Sequence, residues 1–571
     1  MPASALAAVA PRVAIGASSS SSSSSGSNAP RRRLGARAAL RADALVRVSR
    51  SRLVRPRARF LAPPRAVAAT DARSPPQASR AEYDALWAWL ASEGVDVSAA
   101  SPAPVDLSPG GRGWGLVAAR DVGGGEAFLS VPSSLWMTRD TALASPIGPF
   151  CEDEAPWVAL ALQLLRERSI GARSRWAPYV ATLPPREALN APLFWTAREL
   201  EDLAGSQLLA NAAGYDAYVR GVYASLRESK LPAALAAGAC GGEASASDGS
   251  ATLESVGFGE DDFLWAFGIL RSRALPPLDQ GESIALVPGL DLANHSGLSS
   301  QTWTLNDGGF GSVFGGGSSG PSVLLRAEPG RKGGCAKGAE LVCNYGPAKI
   351  DSQFALDYGF TDAFCSRPGY VLGPVPVPES DVNAFDKEDV LETAGMLAAP
   401  AFTIRAFEDP PPELRVFARL LNLKNEDAFL LEAIFRQEAW ALISEPVSKE
   451  NESDACGTMI AGCEEALAGY VTRVEDDRRV AEDAGATPRA RLAAAVRMGE
   501  KQALEEALGY FVAVEGARQH GVLPGEEAQE PQPPGQGREQ HVRSVPGYHG
   551  VSDETRAERR ESARERSRTA V

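Results

Sequence analysis

Asp291-Leu-Ala-Asn294-His295-Ser296 is one of two segments that decide the fold of this 571-residue chain. The other is Asn344-Tyr345-Gly346, with Tyr358-Gly359-Phe360 thirteen residues after its tyrosine. His295 is one of four histidines, and the other three lie near or in a polar C-terminal stretch: His520, His541 and His549. The folded part of the chain is therefore expected to contain a single imidazole.

Taken singly, an Asn-His pair is ordinarily a strand end or a helix cap, and a Tyr-Gly pair is ordinarily a turn. Their order and spacing indicate more, because a glycine-rich strand, Gly111-Arg-Gly113-Trp-Gly115-Leu-Val-Ala, precedes them. Arg175-Trp176-Ala-Pro-Tyr179 and Phe263-Leu-Trp265-Ala-Phe267-Gly-Ile-Leu-Arg271-Ser-Arg273 lie between. Together these segments resemble SET-domain protein methyltransferases. Within that family they are most similar to the plant chloroplast enzymes that methylate lysine on the Rubisco large subunit and on plastid aldolase.

The resemblance extends from about Ala81 to about Gly516 and implies an α+β fold. It predicts a SET-domain β-fold at 81–375 with an inserted helical subdomain at about 150–280. An all-α substrate-binding domain is expected to follow at 378–520, although these helices could also be no more than a stabilising appendage.

Local patterns agree with the predicted helices. Thr196 and Glu199 form a capping box for a helix through Leu200 and Leu203, with Gly205 placed to end it. Thr487-Pro488 is typical of a helix start. One further amphipathic stripe is predicted from Ile460, Cys463, Leu467, Tyr470 and Val474.

Composition excludes several classes of protein. The seven cysteines contain no C-x-x-C pair, which argues against a zinc cluster and a disulfide framework. No apolar run is long enough to predict a membrane span. Residues 1–65 hold thirteen Arg and one acid, a charge of +12, so the total of −14 leaves −26 on residues 66–571. The high negative charge of residues 66–571 argues against nucleic acid as a partner. We expect a monomer that acts on a protein substrate.

The two ends differ from the rest of the chain. Residues 1–65 combine arginine with eight consecutive serines, Ser18 to Ser25, and many alanines, which predicts a chloroplast transit peptide. A disordered tail and a nucleolar targeting signal are the alternatives for this segment. The plastid stroma is the expected location. The stretch 523–571 is rich in Glu, Gln, Pro, Gly and Arg and is predicted to be disordered.

The resemblance also implies a cofactor, S-adenosylmethionine, and the residues that hold it. Asn294 and His295 match family residues that bind its adenine and amino-acid portions. Glu126, Ala127 and Phe128 match the strand segment whose backbone receives it, although Glu126 could instead be a solvated turn carboxylate. No metal is expected.

Substrate contacts are expected from Arg273, Asp291, Tyr345 and Tyr358, although Arg273 and Asp291 could simply pair with each other. Tyr345 matches the catalytic tyrosine, and Tyr358 matches a second aromatic residue of the lysine channel; both could alternatively be core residues. The chemistry requires an unprotonated amine, and free lysine has a pKa of about 10.4. Burial and the neighbouring sulfonium both lower that pKa.

The sequence departs from its relatives at Pro277, where they commonly carry arginine, and in Gly346-Pro-Ala-Lys-Ile-Asp351-Ser352-Gln353, where they are rich in asparagine. These departures leave open the choice between Rubisco and aldolase and the number of methyl groups transferred. Two alternatives also stay open: a protein-histidine methyltransferase on the same scaffold, and a catalytically silent SET-like module that binds peptides.

Overall fold

The computed structural model describes residues 78–107, 111–241, 251–275, 284–299, 303–306, 321–327, 334–362, 365–373 and 375–519. The predicted transit peptide (1–65), the polar stretch at 523–571 and Pro277 lie outside these residues. No helix in the described ranges is both long enough and apolar enough to cross a membrane.

The N-terminal part contains small antiparallel sheets. Its strands are β1 (Ala100–Leu107), β2 (Gly111–Ala118), β3 (Ala127–Pro132), β4 (Met137–Thr138), β5 (Ala285–Leu286), β6 (Thr304–Asn306), β7 (Ser322–Arg326) and β8 (Glu340–Leu341). The sheet orders are β1-β2-β8, β3-β7-β6 and β4-β5. β1 and β2 pair along their full length, from Ala100 opposite Ala118 to Leu107 opposite Gly111.

Most of the helices in this part lie between β4 and β5 in the chain, where the helical insertion is expected. They are α1 (Arg80–Ser92), α2 (Arg139–Leu143), α3 (Pro156–Ser169), α4 (Ala177–Val180), α5 (Ala197–Glu201), α6 (Gln207–Ser229), α7 (Leu231–Ala236), α8 (Glu260–Arg273) and α9 (Asp351–Tyr358). Every residue of α8 from Phe263 to Leu270 is buried, so this helix passes through the core. Its last turn carries Arg271 and Arg273, at the helix end where cations are favoured.

The C-terminal part is mainly helical and has a hydrophobic core of its own. Its elements are β9 (Gly369–Leu372), α10 (Ala384–Thr393), β10 (Phe402–Arg405), α11 (Pro412–Leu421), α12 (Ala439–Leu442), α13 (Lys449–Ala468), α14 (Val474–Glu482) and α15 (Pro488–Gln519). The antiparallel pairing of β10 with β9 was not expected from the sequence. Its residues alternate between buried and half-buried, which is the period of a strand and not of a helix.

Both predicted caps are confirmed. The Thr196 and Glu199 side chains form the reciprocal capping box at the start of α5, and Ala490 N donates to Thr487 Oγ at 3.1 Å at the start of α15. α5 ends at Glu201 and is shorter than predicted. The predicted stripe from Ile460 to Val474 is wrong as a single helix, because α13 ends at Ala468 and α14 begins at Val474.

Polar contacts join the C-terminal part to the helical insertion. Val371 N of β9 donates to Gln207 Oε1 of α6 at 3.0 Å, and the Gln207 amide returns a hydrogen bond to the Val371 carbonyl. Arg489 of α15 donates to Glu199 Oε2 at 2.8 Å and to the Phe194 carbonyl at 3.1 Å. The first turn of α15 is therefore held against the insertion, close to the Tyr358-Gly359 segment.

Candidate active site

The two segments that decide the fold cross each other in the structure. Cys343 N donates to the Asn294 carbonyl at 2.9 Å, and Ser296 N donates to the Cys343 carbonyl at 3.0 Å. These bonds form an isolated parallel bridge between His295 and Cys343, although the two residues are far apart in sequence. The crossing brings Asn294, His295 and Tyr345 together, as expected from the sequence.

Tyr345 is held at both ends by the Asn-His segment. Its backbone N donates to His295 Nδ1 at 3.1 Å, and its hydroxyl donates to the Ala293 carbonyl at 2.8 Å. Burial raises the pKa of Tyr345 well above its usual value, so the phenol keeps its proton. A phenol that donates to a carbonyl still has oxygen lone pairs, so Tyr345 can accept a hydrogen bond from an amine.

The His295 ring is buried and its tautomer is fixed. Because Nδ1 accepts from Tyr345 N, the proton of the neutral ring lies on Nε2. Nε2 lies 3.2 Å from Asp362 Oδ2, but the two atoms lack the alignment of a hydrogen bond, so we treat the contact as electrostatic. Asp362 also accepts from Gly297 N at 2.8 Å and from Cys365 N at 3.0 Å.

Aromatic rings enclose this site. Tyr345 and Tyr358 have ring centroids 4.8 Å apart, and the Phe354 ring lies 4.7 Å from His295. Tyr358 is the last residue of α9, and Gly359 ends the helix in the left-handed region at φ 75°. A Cβ on Gly359 would come within 2.4 Å of the Asn190 backbone, so the Tyr-Gly pair requires glycine here.

Arg273 and Asp291 pair with each other, which is the alternative that the sequence left open. Arg273 donates to Asp291 Oδ2 at 3.0 Å, and the Tyr179 hydroxyl reaches the same oxygen at 3.1 Å. Burial raises the pKa of Tyr179 well above its usual value, so its phenol is the donor. Asp291 Oδ1 is buried without a hydrogen-bond partner in the described part of the chain. This acceptor fits a donor from outside, such as an amine or ammonium group.

Asn294 joins the crossing to β2. Its amide donates to the Trp114 carbonyl at 3.2 Å and to Glu340 Oε1 at 2.8 Å. A Cβ on Gly115 would lie 2.5 Å from Asn294 Nδ2, so this approach needs a glycine. Both amide protons are engaged, and Oδ1 has no partner among the described residues, so Asn294 can offer an acceptor to a ligand.

The predicted segment Glu126-Ala127-Phe128 lies at the start of β3. Glu126 is partly exposed, pairs with Arg120 at 2.6 Å and accepts from Gly123 N at 2.8 Å. The Arg120 hydrogen bond lowers the pKa of this carboxyl. Phe128 is buried at a β-bulge, where the pairing with β7 shifts between Ala127 and Leu129. At the bulge the strand pairing is interrupted, so backbone groups there are available to bind a ligand. The Glu126 side chain instead closes a turn.

These residues fit S-adenosylmethionine by their chemistry. Asn294 Oδ1 and Asp291 Oδ1 are acceptors that suit amino groups, and the rings of Tyr345, Tyr358 and Phe354 suit a cationic sulfonium. The predicted residues therefore lie in four places: the crossing, the Arg273–Asp291 pair, the end of α9, and the start of β3. Asp362 and Lys349, which donates to the Tyr358 hydroxyl at 3.0 Å, were missed because an isolated Asp or Lys in a loop gives no sequence signal.

The family model described as Rubisco LSMT substrate-binding matches residues 378–504. The chain is 34% identical over 423 residues to the chloroplastic fructose-bisphosphate aldolase-lysine N-methyltransferase of Arabidopsis thaliana, with 74% of this chain and 81% of that protein covered. It is 33% identical over 422 residues to the chloroplastic Rubisco large subunit N-methyltransferase of Nicotiana tabacum, with 74% and 80% covered.

A solved structure agrees with these similarities. The crystal structure of the SET domain of LSMT bound to lysine and AdoHcy superposes with a TM-score of 0.63 at 31% identity, covering 79% of this chain and 97% of that one. The actin-histidine N-methyltransferase of Gallus gallus is more distant, at 27% identity, with 70% of this chain and 63% of that protein covered.

We expect His295→Ala to weaken S-adenosylmethionine binding about tenfold or more, with the C-terminal helices still folded. The substitution leaves the Tyr345 N–H without its buried acceptor, a loss of about 1–3 kcal/mol that distorts the crossing. Calorimetry measures the affinity, circular dichroism monitors the helices, and His541→Ala is the matched control. An unchanged affinity would contradict the role given to His295.

Proposed function

Because the chain belongs to the Rubisco large subunit and aldolase lysine N-methyltransferase family of SET-domain proteins, it is an S-adenosylmethionine-dependent protein-lysine N-methyltransferase, and we propose which of its residues carry the reaction. The observation that carries the proposal is the position of Tyr345. Its hydroxyl is fixed on the Ala293 carbonyl, and its ring lies 4.8 Å from that of Tyr358. We assign Tyr345 as the catalytic residue.

Asn294 and His295 would hold the cofactor, together with the backbone of Glu126, Ala127 and Phe128. When bound, S-adenosylmethionine supplies a methyl carbon activated by the neighbouring sulfonium. Asn294 offers Oδ1 and backbone groups. The His295 side chain instead fixes the Tyr345 backbone, which ties the cofactor region to the catalytic hydroxyl.

We infer that the substrate lysine lies beside the contacting rings of Tyr345 and Tyr358 and faces the Arg273–Asp291 pair. The Tyr345 oxygen can accept from the amine and so orient its lone pair, and alignment of this kind removes several kcal/mol from a barrier. The unpartnered Asp291 Oδ1 provides a second acceptor at the same site. Arg273 holds Asp291 in place through their ion pair at 3.0 Å.

We propose that residues 81–375 form the catalytic SET domain and residues 378–520 the substrate-binding domain, whose strand β10 pairs with β9 from just before this boundary. The substrate would be a plastid protein such as the Rubisco large subunit or fructose-bisphosphate aldolase, which are named as substrates of the relatives. A protein-histidine substrate is the weaker alternative, because the histidine-specific relative is less similar. The intact Asn294, His295 and Tyr345 arrangement argues against a silent module.

The C-terminal part offers a surface on which such a protein could dock. Its strongly exposed large apolar side chains include Val382 (95%), Phe385 (85%) and Ile434 (78%). Arg436 bonds to Asp389 at 2.8 Å and also to Asp386, so the loop that carries Ile434 lies along α10. Exposed apolar side chains grouped in this way are typical of interaction sites.

The charge around this apolar surface indicates the kind of partner. In 379–393 and 424–438, Lys424 is the one exposed base, and the exposed acids are Glu379, Glu388, Asp389, Glu392, Glu426, Glu432 and Glu438. An acidic rim around an apolar centre favours a protein with a basic surface. A second copy of this acidic chain would be repelled.

Tyr345→Phe should slow single-turnover methylation about 10²- to 10³-fold, with little change in the affinity for cofactor or protein substrate. The substitution keeps the ring but removes the hydroxyl that is proposed to orient the amine, and a lost preorganised hydrogen bond is worth roughly 2.7–4 kcal/mol. The rate is measured on a lysine-containing stromal protein at saturating cofactor. An unchanged rate would mean that Tyr345 only lines the channel and that its hydroxyl has no catalytic role.

Val382→Ser combined with Phe385→Ser should raise KM for the folded protein substrate about tenfold, because a central apolar contact is lost. Turnover of a short lysine peptide should not change, since a peptide does not reach α10. Val471→Ser, at a site of similar exposure (79%), is the matched control. Equal KM values for the double variant and the wild type would exclude this surface from docking.

The similar plant enzymes are chloroplastic, and we propose that this chain acts in the plastid stroma. The arginine-rich, acid-poor residues 1–65 support this location. Fused to a fluorescent reporter, they should direct it to plastids and be removed there, whereas residues 66–130 should not. A reporter that stays in the cytosol or enters the nucleus would contradict the proposal.

A further inference from the structure

A lysine of the chain itself lies beside the proposed substrate channel. Lys349 N donates to the Gly346 carbonyl at 3.1 Å in a tight turn. A Cβ on Gly346 would lie 3.0 Å from Lys349 Cγ and Cδ, so the aliphatic part of Lys349 packs along the backbone next to Tyr345. This packing directs the ammonium group toward α9.

The Lys349 ammonium contacts the phenol of Tyr358. Nζ donates to Tyr358 Oη at 3.0 Å and lies 4.5 Å from the centroid of its ring. The Tyr358 hydroxyl in turn lies 3.5 Å from the Tyr345 carbonyl. Since Tyr358 is proposed to line the channel, a resident cation is hydrogen-bonded directly to a residue of the channel wall.

One carboxylate serves two cations in this region. Asp357 Oδ2 accepts from Lys349 at 2.7 Å, and Oδ1 accepts from Arg271 Nε at 2.7 Å. The Arg271 guanidinium lies 4.2 Å from the centroid of the Tyr215 ring. Arg271, Asp357 and Lys349 therefore carry a net positive charge. We call these three residues the cationic cluster.

Other charged groups face the same turn. Arg367 donates to the Gly346 carbonyl at 3.0 Å, and Arg405 donates to the Ala348 carbonyl at 2.7 Å. Asp351 accepts from Ser366 at 2.6 Å and from Arg367 N at 2.8 Å, and burial raises the pKa of its carboxyl to about 6. Cations therefore outnumber carboxylates around the turn.

Lys349 itself stays charged. Burial lowers its pKa, but the Asp357 carboxylate and Tyr358 more than offset this effect, so the pKa lies above its usual value. It is therefore a fixed cation near neutral pH, and its ammonium group donates a hydrogen bond to the Tyr358 hydroxyl oxygen.

We propose that Lys349 is a positioning residue whose charge, within the cationic cluster, favours the neutral form of the substrate lysine in the channel. The inference rests on the proposed function, since it places the amine beside Tyr358. A like charge a few ångströms away disfavours an ammonium, and methyl transfer needs the free amine. Lys349 thus acts through electrostatics and does not touch the moving methyl group.

The test is the pH dependence of single-turnover methylation at saturating cofactor and protein substrate, which reports titration in the enzyme–substrate complex. The rate should rise with pH as the amine loses its proton. In Lys349→Met this rise should move to higher pH by about one unit, because the repelling charge is gone. The variant should then be about tenfold slower on the acidic limb and approach the wild-type rate at high pH.

Two variants make the result specific. Lys349→Arg keeps the charge and should keep the wild-type profile, while Lys449→Met, at an exposed lysine outside the proposed docking surface, is the matched control. If Lys349→Met lowers the rate equally at every pH, the role is structural and the inference is wrong. If it unfolds, Lys349→Gln, which keeps a donor without the charge, must show the same shift. A wild-type protein without methyl transfer would instead overturn the proposed function.

Discussion

The hydrogen bond from the Tyr345 amide to His295 Nδ1 is the interaction on which the site depends. It joins two segments that do not form a regular sheet, and the Cys343–Asn294 and Ser296–Cys343 backbone bonds lie on either side of it. A buried donor left without an acceptor costs about 1–3 kcal/mol. His295 is therefore required to position the Tyr345 hydroxyl, and it is also part of the proposed cofactor site. Because one imidazole serves both roles, its loss should affect both the catalytic hydroxyl and the cofactor.

The same constraint reaches the C-terminal part through Asn190. Its amide donates to the Gly359 carbonyl at 2.7 Å, directly after Tyr358, and its Oδ1 accepts from Arg489 of α15 at 3.2 Å. One side chain thus connects the proposed lysine channel to the first turn of the helix that organises the proposed docking domain. Buried polar contacts of this kind fix geometry strongly. A protein held on the C-terminal part would consequently be presented to the channel at a defined distance.

The motif residues of the candidate site could be predicted from the sequence, but the residues that contact them in the fold could not. Asn294, His295 and Tyr345 could be predicted because their order and spacing match a family, and the helix caps at Thr196 and Thr487 follow from local chemistry. Asp362 could not be predicted, because its importance arises from a fold that places it 3.2 Å from His295 Nε2. For Glu126 the sequence left two roles open, a backbone contact to the cofactor and a solvated turn carboxylate. The structure places its side chain in a turn, paired with Arg120. Strand β10 was missed because four residues are too few to outweigh a helical surrounding.

Charge is distributed in opposite ways on the surface and at the site. Residues 66–571 carry −26, which favours the approach of a basic protein. The turn beside Tyr358 instead gathers Lys349, Arg271, Arg367 and Arg405 around the Asp357 and Asp351 carboxylates. A lysine would therefore be attracted as a cation from a distance and be favoured as a neutral amine once inside. A single uniform field could not meet both requirements. The fold separates them, because Lys349 and Arg271 make short, part-buried contacts beside the proposed channel while acids of the proposed docking surface are exposed to solvent.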